Sequence, residues 1–151
     1  MENNKETIEI LNDLVLVNND RIVGYEEALK EIEVDDGELR PLFLELIEQS
    51  HQFKMQLATE IEVLGSDVES GTSTSGKIHR AWLEVKAAFS GHSEKNILEE
   101  CESGEDAIKK AYESALDNEY LPNYIKDILR EQQVYLLEAH DEIRSLRDNA
   151  L

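Results

Sequence analysis

Apolar residues return at alternating spacings of three and four along most of the chain, the period of helices that bury one face. Over residues 4–33 the positions Ile8, Leu11, Val15, Asn18, Ile22, Tyr25, Leu29 and Ile32 predict a first helix. Val34-Asp-Asp-Gly37 supplies turn chemistry, and so short a connection predicts an antiparallel neighbour. The second helix, 38–64, carries the seam Leu39, Phe43, Leu46, Ser50, Phe53, Leu57, Ile61 and Leu64, with Gly65 as its natural stop. From 66 to 92 the pattern changes to a crossover, small and polar over 70–76, with a short helix at about 77–89 that carries Trp82. Ser93 weakly caps a third helix over 94–117, with seam Leu98, Cys101, Glu105, Ile108, Tyr112 and Ala115. Leu121-Pro122 opens a fourth over 122–149, with seam Ile125, Ile128, Gln132, Tyr135, Ala139, Ile143, Leu146 and Ala150. At 1.5 Å per residue these helices are about 36 to 45 Å long. The pattern predicts an all-α, single-domain, antiparallel four-helix bundle, with the long crossover letting helix three run parallel to helix two.

Each seam is interrupted once near its middle, by Asn18, Ser50, Glu105 and Gln132. In an antiparallel bundle these four meet in one buried layer, where they satisfy one another with the help of the Tyr25, Tyr112 and Tyr135 hydroxyls. Glu105 is then a lone acid among uncharged neighbours, and desolvation disfavours its charged form. Such a layer fixes helix register. The other reading is an orienting group inside an apolar cavity lined by the three tyrosines, which would suit a small-molecule ligand.

Charge narrows the partners. Fifteen Lys and Arg face 34 Asp and Glu, a formal net charge of −19. That field repels phosphate backbones and anionic lipid heads, which argues against nucleic acid and membrane surfaces as partners. One cysteine, Cys101, excludes an intrachain disulfide framework, and its place on a helical seam predicts a buried packing role. Residues 1–7 are polar and acidic, without the basic start and apolar core of a secretory signal, and no run of about 18 apolar residues is present. A cytoplasmic protein is expected.

Several strings carry a family resemblance: Leu11-Asn12-Asp13-Leu14 leading through Asn18 to Gly24-Tyr25, Gly71-Thr-Ser-Thr-Ser-Gly76, His79-Arg80-Ala-Trp82, Glu102-Ser-Gly-Glu-Asp106, and His140-Asp141 through Leu146-Arg147-Asp148. With the long crossover they resemble the ferritin-like superfamily, and more closely a bacterial four-helix-bundle family of unknown function placed within it. The resemblance implies a mid-bundle di-metal site, with a Glu on two helices and Glu-x-x-His on the other two. It also suggests a stress-related role, as relatives of this kind would. The chain departs from the ligand pattern position by position. Asn18 stands where helix one would offer Glu, Ser50 and Phe53 occupy the pair on helix two, and Gln132 and Tyr135 occupy it on helix four. Only Glu105 keeps a carboxylate, and two divalent ions would bring about four positive charges against it, so no di-iron centre is expected.

Glu48-Gln-Ser-His51 does spell Glu-x-x-His, but at 100° per residue Glu48 points roughly 170° and His51 roughly 110° from the apolar stripe, toward solvent. Glu102 falls off its seam and His140 on the flank of helix four, where a capping or inter-helix hydrogen bond is expected. His79 and His92 lie in the crossover without ligand partners at metal spacing. Gly76-Lys77-Ile78 misses the ending of a phosphate-binding loop. His79, Arg80, Trp82 and Lys86 form the relatively basic, aromatic stretch suited to a partner contact or to sealing the bundle. The sequence thus predicts a non-catalytic interaction or structural protein with a degenerate metal site, able to self-associate or bind a protein partner, and with no cofactor. The alternative is a metal-dependent oxidase or storage protein holding iron or manganese near Glu105, with Glu48 and His51 as weak further candidates.

Overall fold

The computed structural model describes residues 2–32, 38–67 and 94–149. They form α1 (Glu2–Glu31), α2 (Leu39–Val63), α3 (Glu94–Leu116) and α4 (Asn123–Asn149), with no strand among the described residues. The predicted turn at 34–37, the polar stretch 70–76, the short helix at 77–89 with His79, Arg80, Trp82 and Lys86, and His92 all lie outside the described residues. No helix among the described residues is long and apolar enough to cross a membrane.

Local chemistry explains where the helices stop and start. Pro41 sits in the first turn of α2, where its missing N–H is not needed. At the other end Gly65 takes φ +85°. Its N–H donates to the Glu62 carbonyl at 2.9 Å and the Ser66 N–H to the Ile61 carbonyl at 3.2 Å, the paired bonds of a Schellman stop. Between α3 and α4 the Asn118 side chain accepts the Tyr120 N–H at 2.8 Å, and the Pro122 carbonyl then accepts the N–H groups of Ile125 and Lys126.

The core is built by all four helices and falls into two parts. One holds Leu11, Leu14 and Val17 of α1, Phe53, Leu57 and Ile61 of α2, Ile108 and Ala115 of α3, and Ile125, Leu129 and Leu136 of α4. The other holds Tyr25, Ala28 and Ile32, then Leu39, Phe43 and Leu46, then Leu98 and Cys101, then Ala139 and Ile143. Each large side chain so buried contributes about 1.5–3 kcal/mol through lost contact with water. Cross-helix pairs fix how the elements meet. On α1, Asn18 reaches Tyr112 of α3 while Arg21 and Tyr25 reach Glu105, so higher numbers on one helix face lower numbers on the other. Tyr112 meets Gln132 of α4, and further along Asp106 meets His140.

Two seams differ from the prediction. On α1 the buried face is wider than predicted: Leu14, Val17, Arg21 and Ala28 are buried along with Leu11, Val15, Asn18, Ile22, Tyr25 and Ile32, while Ile8 and Leu29 are only partly buried. It takes in a second three-four register that runs through Arg21, because α1 packs against both α2 and α3. On α4 the buried positions are Ile125, Leu129, Gln132, Leu136, Ala139, His140 and Ile143. Leu129 and Leu136 replace the predicted Ile128 and Tyr135: at both places adjacent apolar residues compete, and at the second the aliphatic side chain takes the interior while the phenol keeps its hydroxyl in water.

Candidate functional site

Between the two apolar halves of the core lies a charged layer centred on Arg21, one of the largest fully buried side chains among the described residues. Its Nε donates to Glu105 Oε1 at 2.7 Å and its Nη2 to Glu105 Oε2 at 3.3 Å, a two-point grip on a carboxylate that is itself fully buried. Nη1 turns to α2 and donates to Gln49 Oε1 at 2.9 Å and to Ser50 Oγ at 3.0 Å. Tyr25, one turn along α1, donates its hydroxyl to Glu105 Oε1 at 2.7 Å, and its ring lies 5.7 Å from the guanidinium carbon. Burial, the largest single influence, pulls the Arg21 pKa down, but Glu105 together with Tyr25 and Tyr112 more than offsets it and leaves the pKa above its ordinary value. The Tyr25 phenol is pushed well up, first by burial and then by Glu105. Burial, with Glu105 again second, does the same to the Cys101 thiol, which keeps its proton and packs.

The expectation of a lone acid among uncharged neighbours is therefore corrected: Glu105 has a resident cation in Arg21. Removing two charges from water is costly, and only close geometry with satisfied hydrogen bonds offsets it. Arg21, Gln49, Ser50 and Tyr25 together supply that geometry.

A second, neutral network adjoins the first. Asn18 Nδ2 donates to the Leu14 carbonyl at 2.9 Å and to the Tyr112 hydroxyl at 3.0 Å. Tyr112 donates to Gln132 Oε1 at 2.6 Å, and Gln132 Nε2 donates to Gln56 Oε1 at 2.8 Å and to the Phe53 carbonyl at 3.3 Å. Burial pushes the Tyr112 phenol up, against a smaller opposing effect of Asn18. Among the atoms of Asn18, Arg21, Tyr25, Ser50, Glu105, Tyr112 and Gln132, Asn18 Oδ1 alone is buried without a hydrogen bond from the described residues. Tyr135 is not part of this layer. It is 47% exposed, its ring tilts against Phe53 with centroids 6.4 Å apart, and it lines a shallow groove with Gln49, Gln52 and Gln56. Tyr25 and Tyr112 are committed to hydrogen bonds inside and Tyr135 stands outside, so the three do not line one chamber.

The donors at mid-bundle do not fit a pair of divalent ions. Asn18, Ser50 and Gln132 are neutral, and both oxygens of Glu105 are held by Arg21. Glu48 and His51 are exposed on α2, where Glu48 accepts a bond from Gln52. Among the described residues, the carboxylate and imidazole groups that do converge are Glu102, Asp106 and His140, with one ligand atom from each within 4.8 Å of the others. His140 is buried rather than marginal, and Glu102 is held by Arg147 of α4. Their signal was present: Glu102 and Asp106 lie one turn apart on α3, and Glu102, Asp106 and His140 all occur in strings that carry the resemblance. Distance from the α3 and α4 seams concealed it.

No curated protein matches the chain. A family model does match, over residues 6–118, which takes in most of α1 and all of α2 and α3. The chain belongs to that family, described as Domain of unknown function (DUF2383).

Proposed function

We propose that this protein is a non-catalytic, ferritin-like helical bundle of the cytoplasm that works as an interaction or structural protein, its mid-bundle metal position closed by an internal ion pair. In this reading neighbouring helices run antiparallel, as the opposed numbering of the α1–α3 and α3–α4 pairs supports. The carrying observation is the grip of Arg21 on both oxygens of Glu105. A guanidinium is always charged and fills the place where a metal would have to draw its negative ligands. What remains is a layer that holds four helices in one register. Outward, Val134 and Leu137 expose apolar surface one turn apart on α4, with Tyr124 and Tyr135 on the same helix, which suits contact with a protein partner or a second copy.

Metal content tests the central claim. Protein purified without chelator is compared with Glu105→Gln by elemental analysis, and oxygen-dependent oxidation of added ferrous iron is followed in both. We expect the substitution to change neither the bound metal nor the oxidation rate. Iron or manganese that disappears with Glu105→Gln would sink the closed-centre reading and install the oxidase in its place.

A further inference from the structure

We propose that Glu102, Asp106 and His140 form a site for one divalent transition-metal ion of the zinc class, on the α3–α4 flank and separate from the central layer. Glu102 and Asp106 project from successive turns of α3, and His140 meets them from α4. His140 Nε2 stands 2.6 Å from Asp106 Oδ1 and 3.9 Å from Glu102 Oε1. Four-coordinate zinc bonds of about 2.0–2.1 Å place ligand atoms roughly 3.3 Å apart, midway between those two separations, so small side-chain rotations close the set.

An independent observation points to a ligand. His140 is only 7% exposed, yet its Nε2 is a buried polar atom with no hydrogen bond, although it aims between two carboxylates. The Asp106 oxygen stands at ion-pair distance from it, 2.6 Å, without completing a hydrogen bond. Arg147 takes the other oxygen of Glu102, Oε2, and so leaves Oε1 turned toward the imidazole, the kind of outer-shell support that orients metal ligands. Asp106 is half exposed and also lines a cleft of about 940 Å³ between α1 and α3, together with Glu6, Glu9, Asp13 and Glu113. That acidic cleft concentrates cations at the open side of the site. One imidazole with two carboxylates favours zinc, cobalt, manganese or ferrous ion over calcium or magnesium, which prefer oxygen donors.

Cobalt(II) reports coordination directly. Full-length protein stripped with chelator is titrated with Co²⁺ alone and followed by visible absorption, then displaced with Zn²⁺. Wild type is expected to bind one equivalent with the intense bands of four- or five-coordinate cobalt. His140→Gln and the near-isosteric, half-exposed Asp106→Asn are each expected to weaken it by roughly 100-fold, since three protein ligands fall to two. Helical circular dichroism confirms that both variants fold, and the exposed pair Glu48→Gln with His51→Gln serves as the control that leaves binding intact. Saturable binding undiminished in both site variants, or only the weak pale bands of six-coordinate surface cobalt, overturns the proposal. Metal that follows His140 and not Glu105 leaves the closed centre standing, so the two claims fail separately.

Discussion

Arg21 carries most of the consequence at the scale of single residues. Truncation in Arg21→Ala leaves Glu105 charged, buried and unpaired, and is expected to lower unfolding stability by about 3–5 kcal/mol in urea denaturation. Replacing both partners with apolar groups of similar bulk, Arg21→Met with Glu105→Leu, is expected to lose far less, within about 1–2 kcal/mol of wild type, because no charge is then stranded. A double variant as damaged as the single would show that shape, not charge compensation, sets the cost. The residue was legible in principle: stepping three and four from Leu11 gives Leu14, Asn18, Arg21, Tyr25, Ala28 and Ile32 without a fault. A second register through Val15, Ile22 and Leu29 keeps the three-four alternation equally well and is more apolar, and it passes over the cation that pairs with Glu105. Glu105, Asn18, Ser50 and Gln132 were readable because each is the lone polar residue on its seam.

At the scale of elements, legibility followed how many apolar residues compete for the interior. On α2 and α3 the buried face has few rivals, and Leu39 to Ile61 and Leu98 to Ala115 read directly from their spacing. On α4, doublets at Ile128-Leu129 and Tyr135-Leu136 leave two phases open to a reader of periodicity, and only packing chooses between them. Helix ends depend on local chemistry and are readable for that reason, as Gly65 shows. Its left-handed backbone admits a side chain only at a conformational cost, while no atom lies within 4 Å of where a Cβ would stand. Gly65→Ala is therefore expected to destabilise by about 1–2 kcal/mol without repacking the core. A lowered melting temperature with an unchanged near-ultraviolet spectrum is the expected result, and an unchanged melting temperature would argue that α2 does not need this stop.

For the whole molecule, the buried acids that have not ionised set an upper limit in pH. Cys101, Tyr25 and Tyr112 all have pKa values raised by burial. A group raised in the folded state stabilises below its unfolded pKa, and that stability is lost as pH rises, because the unfolded chain releases the proton first. With unfolded values of about 8.5 for Cys and 10 for Tyr, the loss is expected to begin near pH 9 and steepen beyond pH 10. Circular dichroism and tyrosinate absorbance followed together check this: part of the tyrosinate signal should form only as helix is lost. Complete ionisation of all five tyrosines with the helices intact would contradict the burial of Tyr25 and Tyr112.

Arg21, Gln49 and Ser50 belong to the pair of helices at the front of the chain, whereas Glu105, Tyr112 and Gln132 belong to the pair at the back. Each half thus brings one sign of charge to the seam it shares with the other. Two front halves pressed together would trap a pair of guanidinium groups away from water, and two back halves a pair of carboxylates, so neither can substitute for the true counterpart. Mismatched pairings that greasy surfaces alone would tolerate are thereby turned away, and a newly made chain has an electrostatic reason to bring a front half against a back half.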